Sequence, residues 1–347
     1  MKKKVIIIGG GFAGIELIKA IDKTLFDVLL IDKINHHQFQ PLFYQVATSQ
    51  IEPSSISFPL RYIFKGNKDL DIRLAEVYEI VPQLNKIQTS AGEFSYDILV
   101  IATGCKTNFF NNKNIEKHSF TLKTTYDAIS IRNQIISVFE NILIASDIEL
   151  KRLYNLVIVG AGPTGVELAG AFAEIKKYIL PKDYPRIDFS KFTIYLIEGS
   201  DKTLNSMSEK SSNTSSNYLV GMGVKIITRT FVKDYDGNLA TLSDGSKIPT
   251  ATLIWAAGVK GNRINGFPNE LWVSNDRLIV NRFNKINTYE NIYAIGDIAY
   301  MTTPKYPNGH PQVANVAINQ AKLLSKNLKN SIYNKNLIKY EYKDLGS

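Results

Sequence analysis

The sequence of 347 residues contains one cysteine, Cys105. A single thiol cannot form an intrachain disulfide, which excludes redox mechanisms that depend on two cysteines of one chain. Long apolar runs are also missing, since no uninterrupted apolar stretch approaches the roughly 20 residues that a membrane-spanning helix needs. Any contact with a membrane is therefore expected to be peripheral.

Acidic residues are in the minority, because the chain has 41 Lys and Arg against 32 Asp and Glu and a formal net charge of +9. No aromatic-basic platform or recognition motif accompanies this charge, so no nucleic-acid partner is expected. Compositional drift toward Lys, Asn and Ile, as in 111–117 and 326–339, is the favoured explanation of the charge. A weak contact with an anionic membrane surface is the alternative. The chain length predicts two domains.

The first half of the chain opens with a pattern of strand, glycine turn and helix. A β-branched run at 5–8 precedes GGGFAG at Gly9–Gly14, and helical periodicity follows. A second strand then ends at Asp32. In such a unit the glycines let the backbone approach a pyrophosphate at the start of the helix, and the acid binds a ribose hydroxyl.

The same pattern returns in the second half. A strand at 156–159 precedes GAGPTG at Gly160–Gly165, a helix follows, and another strand ends at Glu198. This acid lies farther from its glycines than the first acid does, and residues 181–191 have the composition of an inserted loop that explains the excess. One glycine motif alone is weak evidence, but two in register, each with its acid, predict two nucleotide sites.

Each unit also closes on a strand that enters a turn of small residues, Ala102–Gly104 in the first half and Ala256–Gly258 in the second. Alternating strands are predicted before these turns, at 77–94 and 232–248. Gly9 to Ala102 spans 93 positions and Gly160 to Ala256 spans 96, so the two units are matched in length as well as in order.

A third element follows the second unit. It is a strand that enters Gly296–Asp297, and a helix is predicted after it from about Pro311 to Leu328. The chain thus leaves the first domain, builds the second and returns. We predict an α/β fold of two Rossmann-like dinucleotide-binding domains, the second inserted into the first, with boundaries at 1–118 and 284–347 for the first and 119–283 for the second.

These motifs resemble those of the two-dinucleotide-binding-domain flavoproteins and, within them, the type II NADH:quinone dehydrogenases. The specific resemblance lies in HQFQPLFYQVA at 37–47, GAGPTGVELAG at 160–170 and AGVKGN at 257–262. It implies that the first domain binds FAD and the inserted domain binds NADH. The implied activity is hydride transfer from NADH to FAD followed by reduction of a quinone, without proton pumping.

The resemblance assigns roles to residues of the FAD domain. The first glycine loop would hold the pyrophosphate, Asp32 and Lys33 the adenosine ribose, and Asp297 the ribityl-phosphate part, although Asp297 could also be a turn residue that only caps the next segment. The helix that contains Ala317 would direct its positive end at the isoalloxazine. The residues expected at FAD are Gly9, Gly10, Gly11, Phe12, Ala13, Gly14, Asp32, Lys33, Val77, Ala102, Thr103, Gly104, Gly296, Asp297 and Ala317.

The NADH domain receives a corresponding set. An acid at the end of the second strand accepts a hydrogen bond from a 2′-hydroxyl and repels a 2′-phosphate, so NADH is favoured over NADPH. Glu198 could instead be an ordinary exposed charge at a strand end. The residues expected at NADH are Gly160, Gly162, Gly165, Glu198, Ala257 and Gly258.

Glu167 occupies the place of the family's glutamate near the flavin and nicotinamide, which is proposed to assist proton movement to the quinone. A structural explanation stands beside this catalytic role. The helix dipole favours a glutamate in the first turn, and Glu16 has the same offset from the first glycine loop.

The chain departs from the family pattern in two places. Asn315 and Asn319 stand where the family has two glutamines on the quinone-side helix, and they keep the amide's donors and acceptor with a shorter reach. Residues 340–347 end the chain about where relatives begin a C-terminal membrane-binding region. We therefore expect little vesicle binding at physiological salt and poor use of lipid-embedded quinones.

The expected function is that of a respiratory-chain NADH dehydrogenase with FAD and NADH as cofactors, a quinone as partner and no metal. The expected location is cytoplasmic, or peripheral on the cytoplasmic face of the inner membrane, and a homodimer is compatible with the sequence. The alternative hypothesis is a truncated nucleotide-binding remnant, or a redox-sensing interaction protein, without quinone turnover.

Overall fold

The computed structural model describes residues 2–343 and confirms the predicted α/β class. The helices are α1 Phe12–Ala20, α2 Phe43–Ala47, α3 Leu60–Ile63, α4 Lys113–His118, α5 Thr125–Ile142, α6 Asp147–Leu153, α7 Pro163–Tyr178, α8 Leu180–Asp183, α9 Glu209–Gly221 and α10 Ala314–Ile332. The strands are β1 Lys3–Ile8, β2 Phe26–Asp32, β3 His36–Gln38, β4 Ser57–Pro59, β5 Leu70–Leu74, β6 Val77–Val81, β7 Lys86–Thr89, β8 Gly92–Ser95, β9 Ile98–Ile101, β10 Cys105–Thr107, β11 Asn155–Val159, β12 Thr193–Ile197, β13 Val224–Ile227, β14 Val232–Tyr235, β15 Leu239–Leu242, β16 Lys247–Pro249, β17 Thr252–Trp255, β18 Val259–Gly261, β19 Leu278–Ile279, β20 Ile292–Ala294 and β21 Ala299–Tyr300.

Contacts divide the chain into two compact units. Among the described residues, unit 1 consists of 2–37, Phe58–Lys106 and 259–343. Unit 2 consists of Gln38–Ser57 and Thr107–Gly258. The largest sheet in the described part of each unit is parallel.

These units differ from the predicted domains in where their boundaries fall. Residues 259–283 belong to unit 1, where β19 pairs in parallel with β21. The segment 38–57 belongs to unit 2, because Phe43 and Val46 are buried in one core with Ile131 of α5. A sequence motif shows where a glycine loop begins, but it does not show against which helices a connecting segment packs.

The sheet of unit 1 has the order β20-β9-β1-β2-β5, and all neighbours are parallel. The four residues at the end of β1 are buried, as expected for a parallel strand that is covered on both faces. One face carries α1 and α10, and its core includes Val5, Ile7, Leu17 and Leu324. The other face is filled by a second core that includes Ile6, Ile8, Leu99 and Ile292.

Unit 2 repeats this plan with one strand fewer. Its parallel sheet has the order β13-β12-β11-β17. The core on the side of α5 and α7 includes Ile131, Leu168, Phe172 and Leu196, and the core on the opposite side includes Val157, Tyr235 and Trp255. The predicted alternating stretches form three-stranded antiparallel sheets, β6-β7-β8 in unit 1 and β14-β15-β16 in unit 2.

The helix that follows Gly296–Asp297 lies slightly later than predicted. It begins at Ala314 rather than Pro311, because Val313 is still extended with φ −132° and ψ 152°, and it ends at Ile332 rather than Leu328. Within residues 2–343, none of the helices combines the length and apolar composition that crossing a membrane requires.

Candidate functional site

The first glycine loop lies at the C-terminal edge of the unit 1 sheet. A methyl group at Gly9, which has φ +108°, would lie 2.3 Å from the carbonyl oxygen of Ala102, and one at Gly14 would lie 1.9 Å from the carbonyl oxygen of Gly9. Both positions therefore require glycine. Gly11 differs, because a Cβ there would meet nothing within 4 Å in the described part of the chain.

Asp32 ends β2 and holds this loop through both of its carboxylate oxygens. Oδ2 accepts a hydrogen bond from the N–H of Gly10 at 2.5 Å, and Oδ1 accepts one from the N–H of Ile34 at 2.8 Å. Burial raises the pKa of Asp32, while these two donors and the charge of Lys33 act in the opposite direction. His37 lies on the other side of the loop, with Nδ1 3.2 Å from the carbonyl oxygen of Gly10.

Gly296 and Asp297 form a short 3-10 turn after β20, at the same edge of the sheet. Gly296 has φ +74°, and its N–H donates to Oε1 of Gln320 at 2.8 Å. A Cβ on Gly296 would lie 3.2 Å from that of Ala13 and 3.4 Å from that of Ala317. Close packing of α1, this turn and α10 therefore brings these predicted site residues together.

The turn Thr103–Gly104 follows β9 and is held by Asn262, which the sequence did not assign a role. The side-chain amide of Asn262 donates to the carbonyl oxygen of Thr103 at 2.8 Å, and its backbone N–H donates to that of Gly104 at 3.1 Å. The hydroxyl of Thr103 donates back to the carbonyl oxygen of Asn262 at 3.1 Å. Three hydrogen bonds thus fix the turn.

Three further residues predicted at FAD lie outside these hydrogen bonds. Phe12 begins α1 and meets the ring of His37 edge-on, with 5.1 Å between the ring centroids. Lys33 is exposed after β2, and Val77 is half-buried at the start of β6.

Unit 2 places its glycine loop in the equivalent position after β11. Gly160 has φ +98°, and a Cβ on it would lie 2.8 Å from the backbone of Ala257. A Cβ on Gly165 would lie 1.8 Å from the carbonyl oxygen of Gly160, whereas one on Gly162 would meet nothing within 4 Å among the described residues. Gly258, after β17, has φ +79° and lies against Phe110.

Glu198 follows β12 and repeats the contacts of Asp32. Oε2 accepts a hydrogen bond from the N–H of Ala161 at 2.6 Å, and Oε1 accepts one from the N–H of Ser200 at 2.8 Å. Glu198 is half-buried. It is therefore part of the loop's support, which an ordinary exposed charge at a strand end would not be.

Helices α1, α7 and α10 share a feature at their N-termini, because no side chain caps them. Their N-cap residues are Gly11, Gly162 and Val313. The other helices of more than eight residues, α5 and α9, are capped by Thr124 and Ser208. The first N–H groups of an uncapped helix need an acceptor, and the helix dipole favours an anionic one. The open space at Gly11 and Gly162 fits a pyrophosphate in that position.

Glu167 is exposed in α7, and partial desolvation raises the pKa of its carboxyl. It makes no hydrogen bond or ion pair within residues 2–343. The expectation that it lies in the first turn is wrong, because α7 already begins at Pro163 and α1 at Phe12, so that neither Glu167 nor Glu16 is in a first turn. The helix dipole is therefore a weak explanation for either glutamate.

Asn315 and Asn319 lie on successive turns near the start of α10. The side-chain amide of Asn319 donates to Oδ1 of Asn315 at 2.8 Å. Both side chains are half-buried. Their mutual bond orients the two amides and leaves N–H groups of each available to another acceptor.

The chain matches the sequence profile of the pyridine nucleotide-disulphide oxidoreductase family over residues 3–321. It is 30% identical to the type II NADH:quinone oxidoreductase Ndh of Mycobacterium tuberculosis, in an alignment that covers 100% of this chain and 77% of that protein. It is 27% identical to the type II NADH:quinone oxidoreductase of Staphylococcus aureus, over 100% of this chain and 87% of that protein.

Solved structures show the same fold. The structure of NDH2 from Plasmodium falciparum in complex with NADH superposes with a TM-score of 0.92, at 22% identity, and covers 100% of this chain and 88% of that chain. The sulfide:quinone oxidoreductase of Aquifex aeolicus superposes with a TM-score of 0.77, at 21% identity, over 96% of this chain and 77% of that chain.

Proposed function

Because the chain belongs to the pyridine nucleotide-disulphide oxidoreductase family and, within it, to the type II NADH:quinone oxidoreductases, we propose that it oxidises NADH with a quinone through FAD, without proton pumping. The observation that carries the proposal is the pair of matched glycine loops, each with an acid that accepts two backbone N–H groups. Two such loops in one chain suit two dinucleotides.

Unit 1 fits FAD. The N–H groups at the start of α1 would bind the pyrophosphate, and Asp32 keeps lone pairs for the adenosine ribose beyond the two N–H groups that it already accepts. Asp297, in the turn after β20, would accept a hydroxyl of the ribityl chain. Bound FAD supplies the group that accepts a hydride from NADH and then reduces the quinone.

Unit 2 fits NADH. The start of α7 offers the same N–H groups to a pyrophosphate, and Glu198 would accept a hydrogen bond from the 2′-hydroxyl. Its negative carboxylate would lie against the negative 2′-phosphate of NADPH, and the repulsion between them disfavours NADPH binding. We therefore expect a strong preference for NADH.

Glu167 is the proposed residue for proton transfer to the quinone. Its raised pKa favours the protonated form, so the carboxyl holds its proton at a higher pH than an ordinary glutamate. The amides of Asn315 and Asn319 would donate to quinone oxygens. The role of this chain is mainly to bind and orient the reactants.

The finer proposal on location is a weak, salt-sensitive contact with an anionic membrane surface, supported by the net charge of +9. Sedimentation with anionic vesicles at low and physiological salt tests it. Binding that resists physiological salt would contradict an electrostatic contact.

The proposed function is tested on the purified protein. We expect it to carry non-covalent FAD, to lose its visible flavin absorbance when NADH is added without oxygen, and to regain it when a short-chain quinone follows. NADPH should reduce the flavin much more slowly. Failure of NADH to reduce bound FAD would instead favour the nucleotide-binding remnant.

A further inference from the structure

Arg277 carries a buried charge that no ion pair neutralises within the described part of the chain. The residue is 5% exposed, yet within residues 2–343 no carboxylate lies within 4 Å of its guanidinium, and its Nε has no hydrogen-bond partner there. Burial of a charge without an ion-pair partner carries a desolvation penalty. Such a group is retained where its charge or its donors serve a purpose.

The acid next to Arg277 in sequence does not provide the missing partner. Asp276 has φ +57° in the tight turn before Arg277, and its carboxylate lies 3.4 Å from Nζ of Lys260 and 3.9 Å from Arg263. The turn, closed by a 3.0 Å hydrogen bond from the N–H of Val273 to the carbonyl oxygen of Arg277, separates the two side chains. The guanidinium therefore makes its hydrogen bonds with other residues.

The donors of Arg277 join two chain segments that follow Asp297, one next to it in sequence and one that is hydrogen-bonded to it. Nη2 donates to the carbonyl oxygen of Ala299 at 2.6 Å and to that of His310 at 3.2 Å. Ala299 lies two residues after Asp297. His310 lies two residues before Gln312, whose side-chain amide donates to the carbonyl oxygen of Asp297 at 3.1 Å.

The side chain of Asp297 is held by the chain's one cysteine. Sγ of Cys105 donates to Oδ2 of Asp297 at 3.0 Å. Among the charges near Arg277, that of Asp297 is the largest influence opposing the desolvation that lowers the pKa of the guanidinium. A carboxylate that accepts one bond at Oδ2 keeps its other oxygen for a hydroxyl donor.

We propose that Arg277 and Cys105 are positioning residues for Asp297. Arg277 holds the turn in place and balances the charge of the Asp297 carboxylate. Cys105 fixes the orientation of that carboxylate toward FAD. This inference rests on the proposed function, since it takes Asp297 as a ligand of FAD. It assigns the single thiol a structural task in place of thiol redox chemistry. It also explains why a buried arginine is kept without a salt bridge.

The test is the rate at which the purified holoprotein releases FAD on dilution, followed by the rise in free-flavin fluorescence. Cys105→Ala should release FAD about threefold to tenfold faster, which corresponds to the loss of one hydrogen bond, and Cys105→Ser, which keeps a donor, should restore most of the difference. Arg277→Met should accelerate release at least as much as Cys105→Ala does, and Arg277→Lys less. Arg263→Met is the matched control, because the Arg263 side chain contacts Asp276, Asn269 and the ring of Trp272 and, within residues 2–343, makes no hydrogen bond or ion pair with the segments around Asp297. This variant should release FAD at the parent rate.

Equal rates for the parent and Cys105→Ala, or equal rates for the alanine and serine variants, would overturn the inference. The half-buried position of Cys105 makes these two variants decisive even if Arg277→Met does not fold. A parent protein that neither contains nor takes up FAD would contradict the proposed function itself. A parent that holds FAD, with a Cys105→Ala variant that holds it equally well, would contradict only this inference.

Discussion

The glycine loops of the two units have the same close backbone approaches and the same supporting hydrogen bonds. In each, the sixth residue of the motif must be glycine because a Cβ would lie within 2 Å of the carbonyl oxygen of the first, 1.9 Å for Gly14 and 1.8 Å for Gly165. In each, the acid at the end of the next strand accepts the N–H of the second loop residue and the N–H two positions beyond itself. The pattern that positions a pyrophosphate is thus duplicated almost atom for atom.

The units differ in the glutamate on the helix behind the loop. Oε1 of Glu16 lies 3.5 Å from Nζ of Lys322, so it joins α1 to α10 within unit 1. Glu167, at the equivalent position of α7, has no such partner within residues 2–343 and has a raised pKa. The difference teaches that the two loops share their supporting contacts, whereas the glutamate at this position makes an ion pair only in unit 1, which is consistent with the proton-transfer role proposed for Glu167.

The largest effects are expected where both loops require glycine. Gly14→Ala and Gly165→Ala should each destabilise the fold by about 1–3 kcal/mol or more, because a Cβ must displace backbone rather than a flexible side chain. Denaturant unfolding measures the change. If Gly14→Ala unfolds like the parent while Gly165→Ala does not, the two loops are not equivalent.

Gly11→Ala and Gly162→Ala separate ligand binding from folding. A Cβ at either position meets open space, so stability without nucleotide should stay at the parent value. Affinity should fall about tenfold to a hundredfold, for FAD in the first variant and NADH in the second, as expected for about 1–3 kcal/mol of overpacking against a pyrophosphate. FAD content and the KM for NADH are the readouts. A loss of FAD in Gly162→Ala would contradict the assignment of one nucleotide to each unit.

The next largest effects are expected at the strand-end acids, Asp32 and Glu198. Asp32→Asn and Glu198→Gln each replace an acceptor oxygen by an NH₂ group that faces a backbone N–H, at a cost of about 1–3 kcal/mol. Asp32→Asn should weaken FAD retention, and Glu198→Gln should narrow the gap between NADH and NADPH while FAD content is unchanged. Equal efficiency of the parent with both nicotinamide cofactors would contradict the role of Glu198.

The smallest effect is expected at the two helix glutamates. Glu167→Gln should lower the rate of quinone reduction about tenfold. This loss is smaller than general acid–base catalysis usually contributes, because the carboxyl is exposed and solvent can also supply the proton. Since only the protonated carboxyl donates, the parent rate should fall as the pH rises through the raised pKa of Glu167, and this decline should be absent from the variant. Glu16→Gln is the control, with a parent pH profile and a small loss of stability.

The sequence predicted the paired loops, the turns after β9 and β17 and the class of fold, because glycine spacing and strand-end acids report on short stretches of backbone. It did not predict that Asn262 would hold Thr103, that Arg277 would brace the turn at Asp297, or that Cys105 would donate to that carboxylate. The contact of Asn262 with Thr103 and that of Cys105 with Asp297 each join residues more than 100 positions apart in the chain. The segment predicted as an inserted loop begins as α8 and buries Phe189 against Phe139, which local composition also could not indicate.

The central claim is that unit 1 holds FAD and unit 2 holds NADH. Titration of the Gly162→Ala variant with NADH in the absence of oxygen tests it most directly, with the parent protein beside it. We expect both proteins to carry the same amount of FAD, and the variant to need a much higher NADH concentration for the same loss of flavin absorbance. A variant that has lost its FAD, or one that is reduced at the parent's NADH concentration, would contradict the claim.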